Sequence, residues 1–104
     1  MIERHVTFRI RPGKAEEFVS YFGSAYAPAM ARQEGFCGAE IIRPDDLTDA
    51  LVMVLRFTSA EAAQAWRDSA AHKELSPTLK SLYQSSEVRV HEVLAEQPGP
   101  DRLR

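Results

Sequence analysis

Between residues 2 and 11 apolar and polar side chains take turns. Ile2, Val6, Phe8 and Ile10 share one parity, interrupted only by Arg4, while Glu3, His5, Thr7, Arg9 and Arg11 share the other. A period of two carried by β-branched and aromatic residues predicts a strand buried on one face. Pro12-Gly13 punctuates it. The period then lengthens. Phe18, Phe22, Ala25 and Ala29 follow one another at i, i+4, i+7 and i+11, an apolar stripe that predicts a helix over 14–31. Glu16 and Glu17 fall in its first turn, where the helix dipole favours anions. Pro28 lacks a backbone donor and clashes with the preceding turn, so it is expected to kink or restart that helix.

Gln33-Glu34-Gly35 closes the helix, and 36–43 reads as a second strand. A polar loop over 44–49 leads to a third strand whose Leu51, Val52, Met53, Val54 and Leu55 are apolar on both parities. That pattern predicts a central strand covered on both sides. Thr58-Ser59-Ala60-Glu61 has the form of a capping box with Thr58 as the cap, opening a helix over about 59–74. Ser76-Pro77 predicts a further short helix, with Ser76 as N-cap and Pro77 at its first position. Alternation returns over 86–95, where Val88, Val90 and Leu94 oppose Glu87, Arg89 and His91. The order β-α-β-β-α-(α)-β is the split βαβ arrangement: an α+β, ferredoxin-like antiparallel sheet with its helices on one face. It predicts one domain over 1–96 and a flexible tail over 97–104, where two prolines and a glycine cluster. Helices on one face leave the apolar residues of the third strand uncovered on the other. The expected partner is a second copy, packed sheet to sheet in a homodimer.

Composition narrows the function classes. A chain of 104 residues is long enough to bury one core without staples. Its formal net charge of −2, with scattered Lys and Arg, argues against nucleic acid as a partner. No apolar run approaches the roughly 20 residues of a membrane span, and the opening MIERHVTFRIRPGK lacks the apolar core of a secretory signal. A single Cys37 offers neither an internal disulfide nor a metal cluster, so a reduced, cytoplasmic setting is expected. On a strand after Phe36, Cys37 reads as a small buried hydrophobe. His5, His72 and His91 lack the spacing of a metal site, and no metal is expected.

Several segments together resemble the antibiotic biosynthesis monooxygenase domain. They are Arg-Pro-Gly-Lys-x-Glu-Glu-Phe over 11–18, Glu34-Gly35-Phe36-Cys37-Gly38, and Phe57-Thr58-Ser59-x-Glu61-Ala62 with Ala65-Trp66 and Ser69-x-x-His72 following. Each is weak alone, but their order and spacing across about residues 3–95 are fairly specific. The resemblance implies a dimeric α+β barrel with a pocket between sheet and helices in each protomer. It also implies a cofactor-independent monooxygenase acting on a small apolar or aromatic substrate, phenolic or quinol. Its heme-degrading branch calls for an Asn on the first strand, a Trp on the second helix and an axial His beyond it. Here Val6 stands at the Asn position, Trp66 matches, and His72 comes several residues early, so heme degradation is disfavoured and no cofactor is expected. A non-catalytic module that binds a small ligand or scaffolds a partner is the competing reading, since nucleophile and metal signatures are absent.

On a continuous helix, Ala62, Ala65, Trp66 and Ser69 form the inward stripe, with Trp66 and His72 at its two edges, about 120° apart. A Trp on an apolar helix face is more often core than catalyst; the family resemblance is what raises Trp66 to a catalytic candidate. His72 titrates in the useful range and joins it as a base or donor. Val6, Phe8, Phe18, Phe22, Tyr26 and Tyr83 are the candidate pocket residues. His5 and His91 share the polar parity of strands that pair in this fold, and read as neighbours at a wet interface.

Overall fold

The computed structural model describes residues 1–103. Strands β1 (Ile2–Ile10), β2 (Phe36–Ile42), β3 (Ala50–Phe57) and β4 (Tyr83–Glu92) form one antiparallel sheet in the order β2-β3-β1-β4. This is the ferredoxin-like arrangement that the element order predicts, with the helices that connect its strands on one face. The inward parity of β1 is buried along its length, Arg4 included, beside Val6, Phe8 and Ile10. Opposite them on β3, Leu51, Met53, Leu55 and Phe57 complete the floor of the core. Burial of such side chains at about 25 cal/mol per Å² is the main force holding helices to sheet.

The first helical stretch is α1 (Ala15–Tyr21), a π-helical turn (Phe22–Tyr26) and α2 (Ala27–Met30) in unbroken succession. The disturbance expected at Pro28 takes the form of this wider turn just ahead of it. Pro28 sits in the first turn of α2, where its missing N–H costs least. The extra residue in the turn shifts the helical phase. The buried stripe becomes Phe18, Tyr26 and Met30 in place of the expected Phe18, Phe22, Ala25 and Ala29. That shift is what turns the Tyr26 ring inward.

Gly35 follows with φ +86, and a Cβ there would stand 2.6 Å from Ala62 Cβ and 2.8 Å from Thr58 Oγ1. Its carbonyl accepts the Thr58 N–H at 2.8 Å, tying the chain before β2 to the start of the next helix. Only glycine fits this left-handed, crowded position. In the β2–β3 register Phe36 faces Phe57 and Gly38 faces Arg56, so Cys37 is the extra residue of a bulge. It is exposed, not the buried hydrophobe that its strand position suggests.

Helix α3 (Ala60–Asp68) is capped by Ser59, whose side chain accepts from the Ala62 N–H; Thr58, the expected cap, lies one residue too early. The long helix expected to reach residue 74 breaks at Ser69, which takes extended backbone angles. Ser69 both ends α3 and caps α4 (Ala70–Lys80), accepting the His72 N–H at 3.1 Å and donating to the Trp66 carbonyl at 2.7 Å. No new helix begins at Ser76; Pro77 lies inside α4.

Two findings change the expected outer surface. Val52 and Val54 point away from the helices yet are only 9% and 3% exposed within the single chain. His5 and Glu40 flank Val54 in register, and Thr7 and Ile42 flank Val52, so part of this cover comes from neighbours within the sheet. On the outer face Ile42 is the exposed apolar neighbour, at 45%, while Val88 and Val90 of the edge strand β4, 46% and 62% exposed, share the helix-side parity of Val6 and Arg4. Leu94, expected inside this strand, lies beyond its end. In the tail, Pro100–Leu103 form a 3-10 turn, and residue 104 lies outside the described residues. Among the described residues no helix is long and apolar enough to cross a membrane.

Candidate functional site

Between α3, α4 and the inner face of the sheet lies a cavity of about 270 Å³. Its floor is apolar: Val6 and Phe8 from β1, Met53 and Leu55 from β3, and Leu79 from α4. A dry cavity of roughly 150 Å³ accepts benzene, so this space has room for one or two rings.

Trp66 forms one wall. It is fully buried, one turn after the buried Ala63, whose small side chain lets α3 sit close to the sheet. Ala65, expected on the inward stripe, is exposed; Ala63 takes its place. The break at Ser69 then redirects the chain so that His72 meets Trp66 edge-on, ring centroids 5.3 Å apart at 85°. On a continuous helix these two rings would lie well apart around the axis. Tyr26 stands against both, 5.5 Å from Trp66 at 89° and 6.2 Å from His72. Such edge contacts set the positive rim of one ring against the negative face of another. Tyr83 closes the far side against Phe8, 4.8 Å away.

Electrostatics single out three of these groups. Trp66 Nε1 is a buried donor with no hydrogen-bond partner. The indole lies near enough to the Tyr26 oxygen to favour its anion slightly, yet the pair misses hydrogen-bond geometry, so the N–H remains unmatched. Burial nonetheless pushes the Tyr26 phenol up overall, keeping it neutral. Burial also pushes the His72 imidazole down, helped by the positive charges of Arg67, Arg4 and Lys80. His72 is therefore neutral near pH 7 and free to accept a proton. The Ser76 hydroxyl donates to the His72 carbonyl at 2.6 Å, and its oxygen lies 3.4 Å from His72 Nδ1. With its own proton committed, Ser76 can only accept from the ring. This network favours the Nδ1–H tautomer and leaves the lone pair on Nε2.

Of the residues singled out in the sequence, Trp66, His72, Val6, Phe8, Tyr26 and Tyr83 all border the cavity. Phe18 and Phe22 do not; Phe18 is fully buried behind Phe8, with ring centroids 5.0 Å apart. Arg4, Arg67, Lys80, Ser76 and Ser86 line the cavity and were not foreseen. For Arg4 the signal was present as the one polar residue on the buried parity of β1. His5 and His91 are neighbours, their tilted rings 4.5 Å apart, on the opposite face, where Glu3 bonds both His5 and Arg56 at 2.7 Å. Those two bonds hold the Glu3 carboxyl below its usual range. Among the described residues no cluster of three His, Cys, Asp or Glu side chains forms a metal site.

The family model of the antibiotic biosynthesis monooxygenases matches residues 1–77. No curated protein matches the chain. Among solved structures the chain resembles SnoaB, a cofactor-independent oxygenase from Streptomyces nogalater, at 24% identity and a TM-score of 0.77, over 95% of this chain and 96% of that one. It also resembles a proposed antibiotic biosynthesis monooxygenase from Bordetella bronchiseptica, at 17% identity and a TM-score of 0.81, over 90% and 97% of the two chains. A conserved protein from Methanosarcina mazei aligns at 18% identity and a TM-score of 0.76, over 86% and 89%. At these identities the structures speak for the shared fold.

Proposed function

Because the chain belongs to the antibiotic biosynthesis monooxygenase family, we propose that it oxygenates a one- or two-ring phenol or quinol in the cavity beside Trp66 and His72, with the substrate as the sole reductant of O2. The observation that carries this reading is the unmatched indole N–H of Trp66 next to an imidazole kept neutral by its surroundings. A buried donor without a partner costs about 1–3 kcal/mol, a cost that an anionic oxygen arriving with substrate would relieve.

The chemistry balances without a further reagent. His72 takes the phenol proton, and the Trp66 N–H stabilises the phenolate oxygen as charge develops. The phenolate passes one electron to O2, and the radical pair joins at a hydrogen-bearing ring carbon ortho or para to that oxygen. The resulting hydroperoxide loses its C–H proton, the O–O bond breaks, and hydroxide leaves with a proton returned by His72. A phenol and O2 thus become a quinone and water. The apolar floor excludes bulk water, which keeps the charge interactions strong.

Oxygen uptake over a panel of phenols and quinols provides the test. Uptake is expected for one- and two-ring members, falling at least tenfold in His72→Ala and Trp66→Phe. Ligand binding without uptake across the panel would instead favour a non-catalytic binding module. Heme fits less well, since Val6 stands where the heme-degrading branch carries Asn and the cavity of about 270 Å³ is small for a porphyrin. The same reading carries a homodimer packed sheet to sheet. Light scattering at micromolar concentration should give twice the 11.7 kDa of one chain; a monomer mass would refute that assembly.

A further inference from the structure

The cavity is cationic in a chain whose formal net charge is −2. Arg4, Arg67 and Lys80 line it together with His72, and no Asp or Glu does. Four cations elsewhere pair with carboxylates, Arg9 with Asp49, Lys14 with Glu17, Arg56 with Glu3 and Arg89 with Glu87, while others such as Arg11 and Arg32 are exposed to water. Among the described residues the side chains of the three cations at the cavity have no such partner and no hydrogen bond.

Arg4 is the decisive member. It is only 8% exposed, and its lateral neighbours in the sheet are Leu55 and Val90, neither able to accept a hydrogen bond. Burial, helped by the like charge of Arg67, pushes the Arg4 guanidinium down. Its nitrogens are not sealed from water, so the head stays solvated through the cavity, yet a guanidinium with no carboxylate and a second cation nearby is unfavourable for the fold alone. Arginine stems often run beneath apolar surface with the head in water, and here Arg4 borders the partly open cavity that it shares with Trp66 and His72.

We infer that the substrate is itself an anion, an aromatic carboxylate whose carboxyl group pairs with the Arg4 guanidinium while its phenol lies toward Trp66 and His72. This rests on the oxygenase reading of the same cavity. The planar fork of arginine matches a carboxylate through two parallel hydrogen bonds, and Arg67 and Lys80 at the rim attract the anion on approach. Arg4 is thus a specificity-determining residue, separate from the groups that handle the reacting oxygen.

Calorimetric titration under argon isolates binding from oxidation. The probes are 1-hydroxy-2-naphthoate and its neutral amide, of nearly equal size. The carboxylate is expected to bind at least tenfold more tightly. Arg4→Gln should erase that preference and leave amide affinity within about threefold, while Arg4→Lys should retain part of it. Arg9→Gln, altering a cation on the opposite sheet face, should change neither affinity. If Arg4→Gln does not fold by circular dichroism, Arg67→Gln serves, with an expected loss of about threefold in carboxylate affinity. Equal binding of acid and amide by the native protein overturns the inference, as does a preference that survives Arg4→Gln. A naphthyl phosphate that binds more tightly than the carboxylate overturns the carboxylate assignment. Absence of O2 uptake with a carboxylate that binds selectively would sink the oxygenase reading and leave this one standing.

Discussion

Replacing Trp66 separates a packing role from a ligand role, because its two contributions to stability oppose each other. The ring is fully buried among Tyr26, His72 and the core, so Trp66→Phe loses apolar contact and opens a small void. Exchange for a smaller aromatic in a packed site costs about 1–2 kcal/mol in transfer and cavity terms. The same change removes a buried N–H that has no partner, relieving about 1–3 kcal/mol of desolvation. The two nearly cancel, and Trp66→Phe should unfold within about 1 kcal/mol of the native protein. Trp66→Ala, with a far larger void, should lose about 3–5 kcal/mol. Since this is the chain's single tryptophan, urea unfolding is followed by circular dichroism, with the slope checked for constancy. Turnover should still collapse in Trp66→Phe, because the donor is gone while the fold remains. A loss of stability above about 2.5 kcal/mol in Trp66→Phe would mean that the N–H has a stabilising partner, and the argument from an unmatched donor would fail.

Other consequences follow from single positions. Gly35→Ala forces a side chain into a left-handed backbone and against Ala62, and should cost about 2–4 kcal/mol by thermal or urea unfolding; a neutral outcome would show that this junction yields. Ser69→Ala removes the cap of α4 and the bond to the Trp66 carbonyl, and should cost about 1–2 kcal/mol while lowering turnover as His72 loses its fixed position. For His72 the sign is fixed by its depressed folded pKa: the unfolded chain takes the proton first, near pH 6.5. Its contribution to stability is complete above that pH and is lost as pH falls toward the folded value. Turnover should likewise rise through an apparent pKa below 6.5 and then level off. His72→Gln should remove both dependences; an unchanged profile would assign them to another group.

Much of the fold was legible because periods of two and of four announce themselves in side-chain type. Residues 2–10 and 50–57 needed nothing more than alternation and an apolar run. The misreadings come from places where one residue changes the phase. A wider turn ahead of Pro28 brought Tyr26 inward in place of Ala25, and an extended Ser69 cut a helix that its pattern read as continuous. Neither leaves a mark in composition. The candidate site was half legible for the same reason. Trp66 and His72 were visible as residue types, but their contact depends on the break at Ser69. Arg4 looked like a blemish in an apolar strand; its meaning required knowing that Leu55 and Val90 flank it. Val52 and Val54 misled in the opposite sense, since lateral cover within a sheet is invisible along a single strand.

The central claim is that this chain oxygenates a phenol with no electrons but the substrate's own. The direct measurement is a reaction of 1-hydroxy-2-naphthoate with 18O-labelled O2, using protein dialysed against a chelator and supplied with no flavin or metal. One O2 should be consumed per substrate, with one labelled atom in the quinone and the other in water, at a rate that Trp66→Phe and His72→Ala reduce at least tenfold. Unlabelled product, hydrogen peroxide formed in equal amount to the O2 consumed, or a rate indifferent to both substitutions would contradict it.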